Sequence, residues 1–404
     1  MRTPDSVDAA PAGRGTPLRI AQVAPPLERV PPAGYGGTER VVFELTAELV
    51  RRGHDVTVFA SGDSEVPCRL VPTVDEALRP AGFGDDPSPY FLETLNAVFA
   101  RGADFDVVHS HLEWWSLALP RGLQVPVAST FHGRLDVPWS RRLLAGRPPG
   151  LVAISRSQAS VHPDVDWTII HNGLALDSMP TVPDPSDAFC FVGRVEAAKG
   201  ILEAIEIARL TGRPLRIAAK IGTTPEQRAY YDDVFRPALE QAGSLVEFLG
   251  ELDGEDRDRL LAESYAALMP GAWPEPFGLV AIEALACGTP VLARRVGALP
   301  EIIRDGIDGF FGRRDAPCLP RRRRGGPRPA GHPRASRGAF LRGQDDRSLR
   351  RALRPARGGG PAGRSRRGRA QGGRPGGRRT RGRRWRGSPA SGRCTSARAG
   401  RPRP

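Results

Sequence analysis

Between Leu18 and Phe311, short apolar runs alternate with longer segments in which apolar residues recur every three or four positions. Tandem βα units produce that rhythm when they assemble a parallel sheet, because strands covered on both faces lose the strict apolar/polar alternation. The runs LRIAQVA, DVTVFA, FDVVHS, PVASTF, GLVAIS and WTIIHN read as strands. TERVVFELTAELVRRG, with its apolar stripe, reads as an amphipathic helix. Together they predict one doubly wound α/β domain over residues 18–176. The stretch LDSMPTVPDPSD is rich in Pro and Asp and has no period, so a linker is expected at 177–187. A second βα series over 188–312 has strands AFCFVG, PLRIAAKI, LVEFLG, AALMPG and PVLARR and helices GILEAIEIARLTG and DVFRPALEQAG. Two such domains in tandem put the carboxyl ends of both sheets, where open α/β sheets bind ligands, on either side of one interdomain cleft.

The pattern stops after Phe311, and composition explains why. Residues 313–404 hold 30 Arg, no Lys and 3 acidic residues, a net of +27, with no Val or Ile. Such a segment buries too little apolar area to offset its ordering entropy and is expected to be disordered. Taking its +27 from the chain's total of +14 leaves residues 1–312 at −13, so the body is acidic and the basic character belongs to the tail. Three readings of the tail stand: an Arg/Gly nucleic-acid arm, an anchor for anionic membranes giving a peripheral membrane contact, or the product of a reading-frame shift in a GC-rich gene. The abrupt loss of pattern favours the frameshift and makes nucleic acid an unlikely partner.

Five scattered cysteines with no C-x-x-C pair fit a reducing compartment and no cysteine-based metal site. Residues 1–17 lack the apolar core of a signal peptide and read as a disordered leader. No apolar run reaches the ~18 residues of a membrane span. A cytoplasmic protein is expected.

Candidate chemistry gathers at the expected strand ends. AGYGGTERVVFEL places Gly36 and Gly37 between the first strand and the first helix, where bare backbone amides and the positive end of the helix suit a phosphate. A plain turn with Thr38 as helix cap explains the same residues. FVGRVEAAKG carries Arg194 and Lys199, one of only two lysines in the chain, into a turn where two cations can hold a diphosphate; a solvated surface pair is the bland alternative. In EPFGLVAIEALACGTPV, Glu275 precedes a helix expected to start at Phe277 and Gly278, with the amides of Phe277, Gly278 and Leu279 unpaired in its first turn. Glu283 sits in the same helix among apolar neighbours, where a carboxylate needs a partner. STFHGR ends a strand at His132, which can reach into the cleft. VVHSHLEWW puts His109 and His111 on one face of another strand end, but with no third ligand at a metal-binding spacing.

Read in order, GYGGTE, DVVHSH, TFHG, VGR followed by KG, E-x7-E in EPFGLVAIE and GALPEIIRDGIDGF resemble the family 4 retaining glycosyltransferases of GT-B fold, over residues 18–311. The resemblance implies a nucleotide-diphospho-sugar donor bound mainly by the second domain and an acceptor (a sugar, glycolipid or small molecule) bound mainly by the first. It also implies retention of the anomeric configuration, with no metal and no cofactor. Arg194 and Lys199 would bind the donor diphosphate, with Gly36 and Gly37 approaching it from the first domain. Glu275 and the amides of Phe277, Gly278 and Leu279 would contact the transferred sugar, Glu283 the ribose hydroxyls, and His132 the donor sugar in the transition state. Family members close with helices after DG-x-DGF, one of which returns to the first domain, and here the Arg/Gly sequence stands instead. The alternatives are therefore a catalytically impaired paralogue, or a nucleic-acid or anionic-surface binder acting through its tail.

Overall fold

The structure is a computed structural model that describes residues 16–312 apart from Tyr35, Arg147, Pro148 and Asp177. The expectations for residues 1–15 of the leader and for the tail at 313–404 lie outside the described residues.

Two all-parallel sheets form, as the apolar runs predict. The first contains β1 (Arg19–Val23), β2 (Asp55–Ser61), β3 (Arg69–Val74), β4 (Val107–Ser110), β5 (Val127–Phe131), β6 (Leu151–Ala153) and β7 (Thr168–Ile169), in the order β3-β2-β1-β4-β5-β6-β7. The second contains β8 (Phe189–Arg194), β9 (Leu215–Lys220), β10 (Val246–Gly250), β11 (Ala266–Met269), β12 (Val291–Arg294) and β13 (Gly309–Gly312), in the order β10-β9-β8-β11-β12-β13. Each sheet reverses its strand order beside its first strand, between β1 and β4 and between β8 and β11. At such a switch point the flanking loops diverge and leave a crevice at the carboxyl ends. Both sheets belong to one compact unit.

The central strands are buried on both faces; Val56, Val58, Phe59 and Ala60 of β2 are all nearly or wholly covered. Two strands escape the sequence pattern. β3 carries Pro72, which a parallel ladder accepts at its edge, and β13 is the short, glycine-bounded GFFG. Conversely WTIIHN yields only the two-residue edge strand β7.

Three helices position the site: α1 (Gly37–Arg51), α2 (Ile201–Thr211) and α3 (Leu279–Ala286). The run DVFRPALEQAG is less regular than its period suggests. A π-helical turn at Tyr231–Phe235 precedes the helix Arg236–Ala242, whose first turn holds Pro237. Proline lacks an amide and crowds the carbonyl four residues back, and the wider turn relieves that crowding. In the expected linker, Met179 and Val182 pack against the core of the second sheet. Among the described residues no helix is long and apolar enough to cross a membrane.

Candidate active site

The second sheet contributes two loops, one on each side of its switch point. After β8 the chain makes a tight turn at Ala197–Lys199 and enters α2 through Gly200, whose φ of +80° favours glycine. A Cβ on Gly200 would lie 2.4 Å from the amide nitrogen of Gly271, and one on Gly271 would lie 2.5 Å from the carbonyl oxygen of Ala198. The turn and the loop after β11 therefore touch backbone to backbone, and the Trp273 amide donates to the Ala198 carbonyl at 3.2 Å. That contact brings Lys199 Nζ to 2.6 Å from Glu275 Oε1, with both side chains mostly covered. Lys199 also lies 5.2 Å from the Trp273 ring centre. Gly297 locks the far side, since a Cβ there would meet the backbone of Glu275 at 2.4 Å, and the Ala298 amide donates to the Glu275 carbonyl. Phe191, Lys199, Met269, Gly271, Trp273 and Glu275 line a small cavity. Arg194, at the end of β8, reaches Glu196 at 2.9 Å, and Glu196 also accepts from Gln227.

The helix after Glu275 starts later than the sequence suggests. Gly278 is its N-cap at φ +104°, so Leu279 is the first helical residue and Phe277 lies outside the first turn, buried 5.7 Å from the His171 ring. Only the Leu279 amide of the three named belongs to the helix start.

Side chains of the first sheet meet these loops at several points. Gly37 faces Leu279, with its Cβ position 3.2 Å from Leu279 Cδ1. Arg40, one turn into α1, donates to the buried Glu283 carboxylate. The buried Glu28 accepts from Lys220 at 3.1 Å. Glu301 accepts from the amides of Arg156 and Ser157 at 3.0 and 2.8 Å and lies 3.3 Å from His171 Nε2. The Arg134 guanidinium lies 4.8 Å over the Trp273 ring, which therefore has a cation from each sheet near it.

His132 stands two residues before Arg134. Its backbone amide and that of Gly133 both donate to Glu113 Oε1, at 2.8 and 2.9 Å, and Glu113 holds the uncommon φ of +52°. The ring Nε2 of His132 lies 2.9 Å from His111 Nδ1, His111 Nε2 lies 3.0 Å from Gln22 Oε1, and His109 Nε2 pairs with Thr130 at 2.7 Å. Burial pushes His132 down to about 3 and His109 to about 4, and holds His111 well below the usual imidazole range. Burial raises Glu113 to about 7 against the two amides that favour its anion. Among the described residues no group of three or more His, Cys, Asp or Glu is arranged to hold a metal ion.

Of the predicted residues, Lys199 and Glu275 meet directly and Gly37 meets Leu279, whereas Arg194 pairs with Glu196, Glu283 with Arg40, His132 with His111, and Gly36 lies against Pro32 and Glu39. The sequence reading passed over Arg40, Gln22, Glu113, Trp273 and Glu301. A charged residue one turn into the glycine-started α1, and an aromatic between Gly271 and Pro274, were the available signals for Arg40 and Trp273.

Two Rossmann-like parallel sheets, each with a switch point beside its first strand, are the architecture of the GT-B glycosyltransferases. Residues 35–178 match the model of Glycosyltransferase Family 4, and residues 179–316 match that of Glycosyl transferases group 1. A D-inositol 3-phosphate glycosyltransferase of Mycolicibacterium paratuberculosis is 30% identical over 353 residues, covering 72% of this chain and 78% of the relative. The chain belongs to family 4 of the glycosyltransferases, and is a transferase of glycosyl groups. Among solved structures, a glycosyltransferase involved in avilamycin A biosynthesis aligns with TM-score 0.56 at 27% identity, over 83% of this chain and 92% of that one. The Anabaena protein HepE, crystallised with UDP and glucose, shares the fold with TM-score 0.57 at 17% identity, over 73% of this chain and 85% of that one.

Proposed function

We propose that the protein transfers a sugar, with retention of anomeric configuration and without a metal, from a nucleotide-diphospho-sugar donor to an acceptor hydroxyl. The observation that carries this reading is the Lys199–Glu275 pair at 2.6 Å, held between two loops at the switch point of the second sheet. In the family's reaction the leaving group is a nucleoside diphosphate, and its departure concentrates negative charge on the bridging and terminal oxygens. Lys199 and Arg194, fixed beforehand by Glu275 and Glu196, meet that charge without reorganising. Glu275 then accepts hydrogen bonds from hydroxyls of the transferred sugar, with the Leu279 amide as a donor beside it. The uncharged imidazole of His132 contacts the sugar from the first sheet, and the acceptor attacks on the face from which the diphosphate leaves. Glu283 can hold the ribose hydroxyls only by sharing its carboxylate with Arg40 or releasing it. The UDP and glucose bound to HepE support a nucleotide-sugar donor. The scattered cysteines, with no C-x-x-C pair and, among the described residues, no disulfide, suit a reducing cytoplasm.

The test is turnover of UDP-, GDP- and ADP-sugars by the full chain, with EDTA present and the product anomer read by NMR. Turnover that survives EDTA, keeps the anomeric configuration, and is lost in Arg194→Ala and Glu275→Ala is expected. Binding to none of these donors sinks the reading; inversion, or loss of turnover with EDTA, removes the finer part of it.

A further inference from the structure

Two side chains that the reading above does not use, Gln22 and His111, form a line with His132. Gln22 on β1, His111 after β4 and His132 after β5 touch in sequence, Gln22 Oε1 to His111 Nε2 at 3.0 Å and His111 Nδ1 to His132 Nε2 at 2.9 Å. Gln22 and His111 are each only 1% exposed, so water does not substitute for either partner. We infer that Gln22 and His111 are positioning residues that fix His132 as its Nε2–H tautomer, so that its Nδ1 lone pair accepts a hydroxyl of the transferred sugar and disfavours a carboxylate there.

The argument is one of proton counting. With the Gln22 carboxamide oxygen toward the ring, as placed here, His111 Nε2 donates to it, since that oxygen has no proton. A neutral imidazole carries one N–H, so His111 Nδ1 is a lone pair and accepts. The donor to it is His132 Nε2–H, which leaves His132 Nδ1 bare. Burial keeps both rings neutral, and the His109 ring lies 4.2 Å from that of His111, centre to centre, covering it. Nδ1 of His132 has no hydrogen-bond partner among the described residues. The two amides donated to Glu113 hold the main chain of His132 in place, so the ring presents Nδ1 in a fixed place. A hydroxyl can donate to that lone pair, whereas a uronate carboxylate would face it with no proton between them. The sugar part of this inference rests on the proposed donor; the tautomer does not.

Nitrogen-15 NMR of the histidine rings in the full-length protein, with His132 identified by its loss in His132→Asn, reads the tautomer without any ligand. The expected spectrum shows His132 protonated at Nε2 and bare at Nδ1. Gln22→Glu, which keeps an acceptor oxygen, preserves it, and Gln22→Leu, with its fold checked by circular dichroism, mixes the two forms. A native His132 protonated at Nδ1, or a spectrum unchanged in Gln22→Leu, overturns the assignment. UDP-glucose, GDP-mannose and ADP-glucose then serve as neutral probes, with UDP-glucuronate, GDP-mannuronate and ADP-glucuronate as their uronates. The neutral form is expected to bind at least ~10-fold more tightly than its uronate, and Gln22→Leu to narrow that ratio several-fold. Equal binding of both forms overturns the sugar part. Binding of no probe overturns the donor reading and the sugar part with it, while the spectrum alone decides the tautomer.

Discussion

Arg40, near the start of α1, donates to Glu283 in α3, and so ties the helix leaving the first sheet to a helix of the second. The side chains are 18% and 4% exposed, and a carboxylate so covered depends on its cation. Arg40→Ala is expected to cost about 3–5 kcal/mol of stability because it strands the Glu283 charge. Arg40→Met with Glu283→Leu should recover most of that loss. Urea unfolding of the two single variants and the double variant measures the coupling, and simple additivity would show that the pair is not energetically joined.

The Lys199–Glu275 contact leads to a kinetic expectation. Lys199→Met removes a preorganised cation from the proposed diphosphate site and should lower kcat by about 10²–10³-fold, more than it raises KM. Steady-state kinetics on the best donor found in the turnover panel checks it. A change confined to KM would assign Lys199 to ground-state binding alone.

Two glycines with left-handed φ separate local strain from crowding. Gly212 closes α2 at φ +63°, and a Cβ there meets nothing within 4 Å, so Gly212→Ala should cost about 1–2 kcal/mol. Gly200 opens the same helix at φ +80°, but its Cβ would run into the Gly271 backbone. Gly200→Ala should exceed the Gly212→Ala cost by about 3 kcal/mol or more. Denaturant midpoints of the two variants give the comparison.

Burial lifts Glu113, like Glu39, from an ordinary 4.5 to about 7. Between these values the folded protein holds a proton that the unfolded chain has released, so stability falls as pH rises through the interval and levels off above it. Glu113→Gln keeps an oxygen for the His132 and Gly133 amides but removes the titration. It should remove the Glu113 share, about half, of the loss that the two carboxylates cause between pH 5 and pH 8, leaving the share of Glu39. Histidines work in the other direction: His109 and His132, held at about 4 and about 3, are neutral in the fold, so acid below the usual 6.5 favours the unfolded chain. Unfolding free energies of wild type and variant at both pH values test the first statement.

The sheets were legible because a strand covered on both faces is written as an uninterrupted apolar run, as in AFCFVG. β3 hid behind Pro72, and the helix around Pro237 kept its apolar period while its backbone widened. In the site, Arg194, Lys199 and Glu275 could be found from their place at strand ends beside glycine or proline. Arg40 could not be given its partner: it lies 243 positions from Glu283, and nothing local records a contact made by folding two domains together. The same holds for Gln22, which lies 89 positions from His111. Glu301 likewise receives the amides of Arg156 and Ser157 from 145 and 144 positions away.

The backbone contact between Gly200 and Gly271 leaves no space for a side chain or an inserted residue between the two loops that hold Lys199 and Glu275. The two loops pack backbone to backbone. On the proposed reading, evolution and engineering would retune the sugar by exchanging side chains that line the cavity, such as Met269 or Trp273, and not by lengthening the loops that carry them.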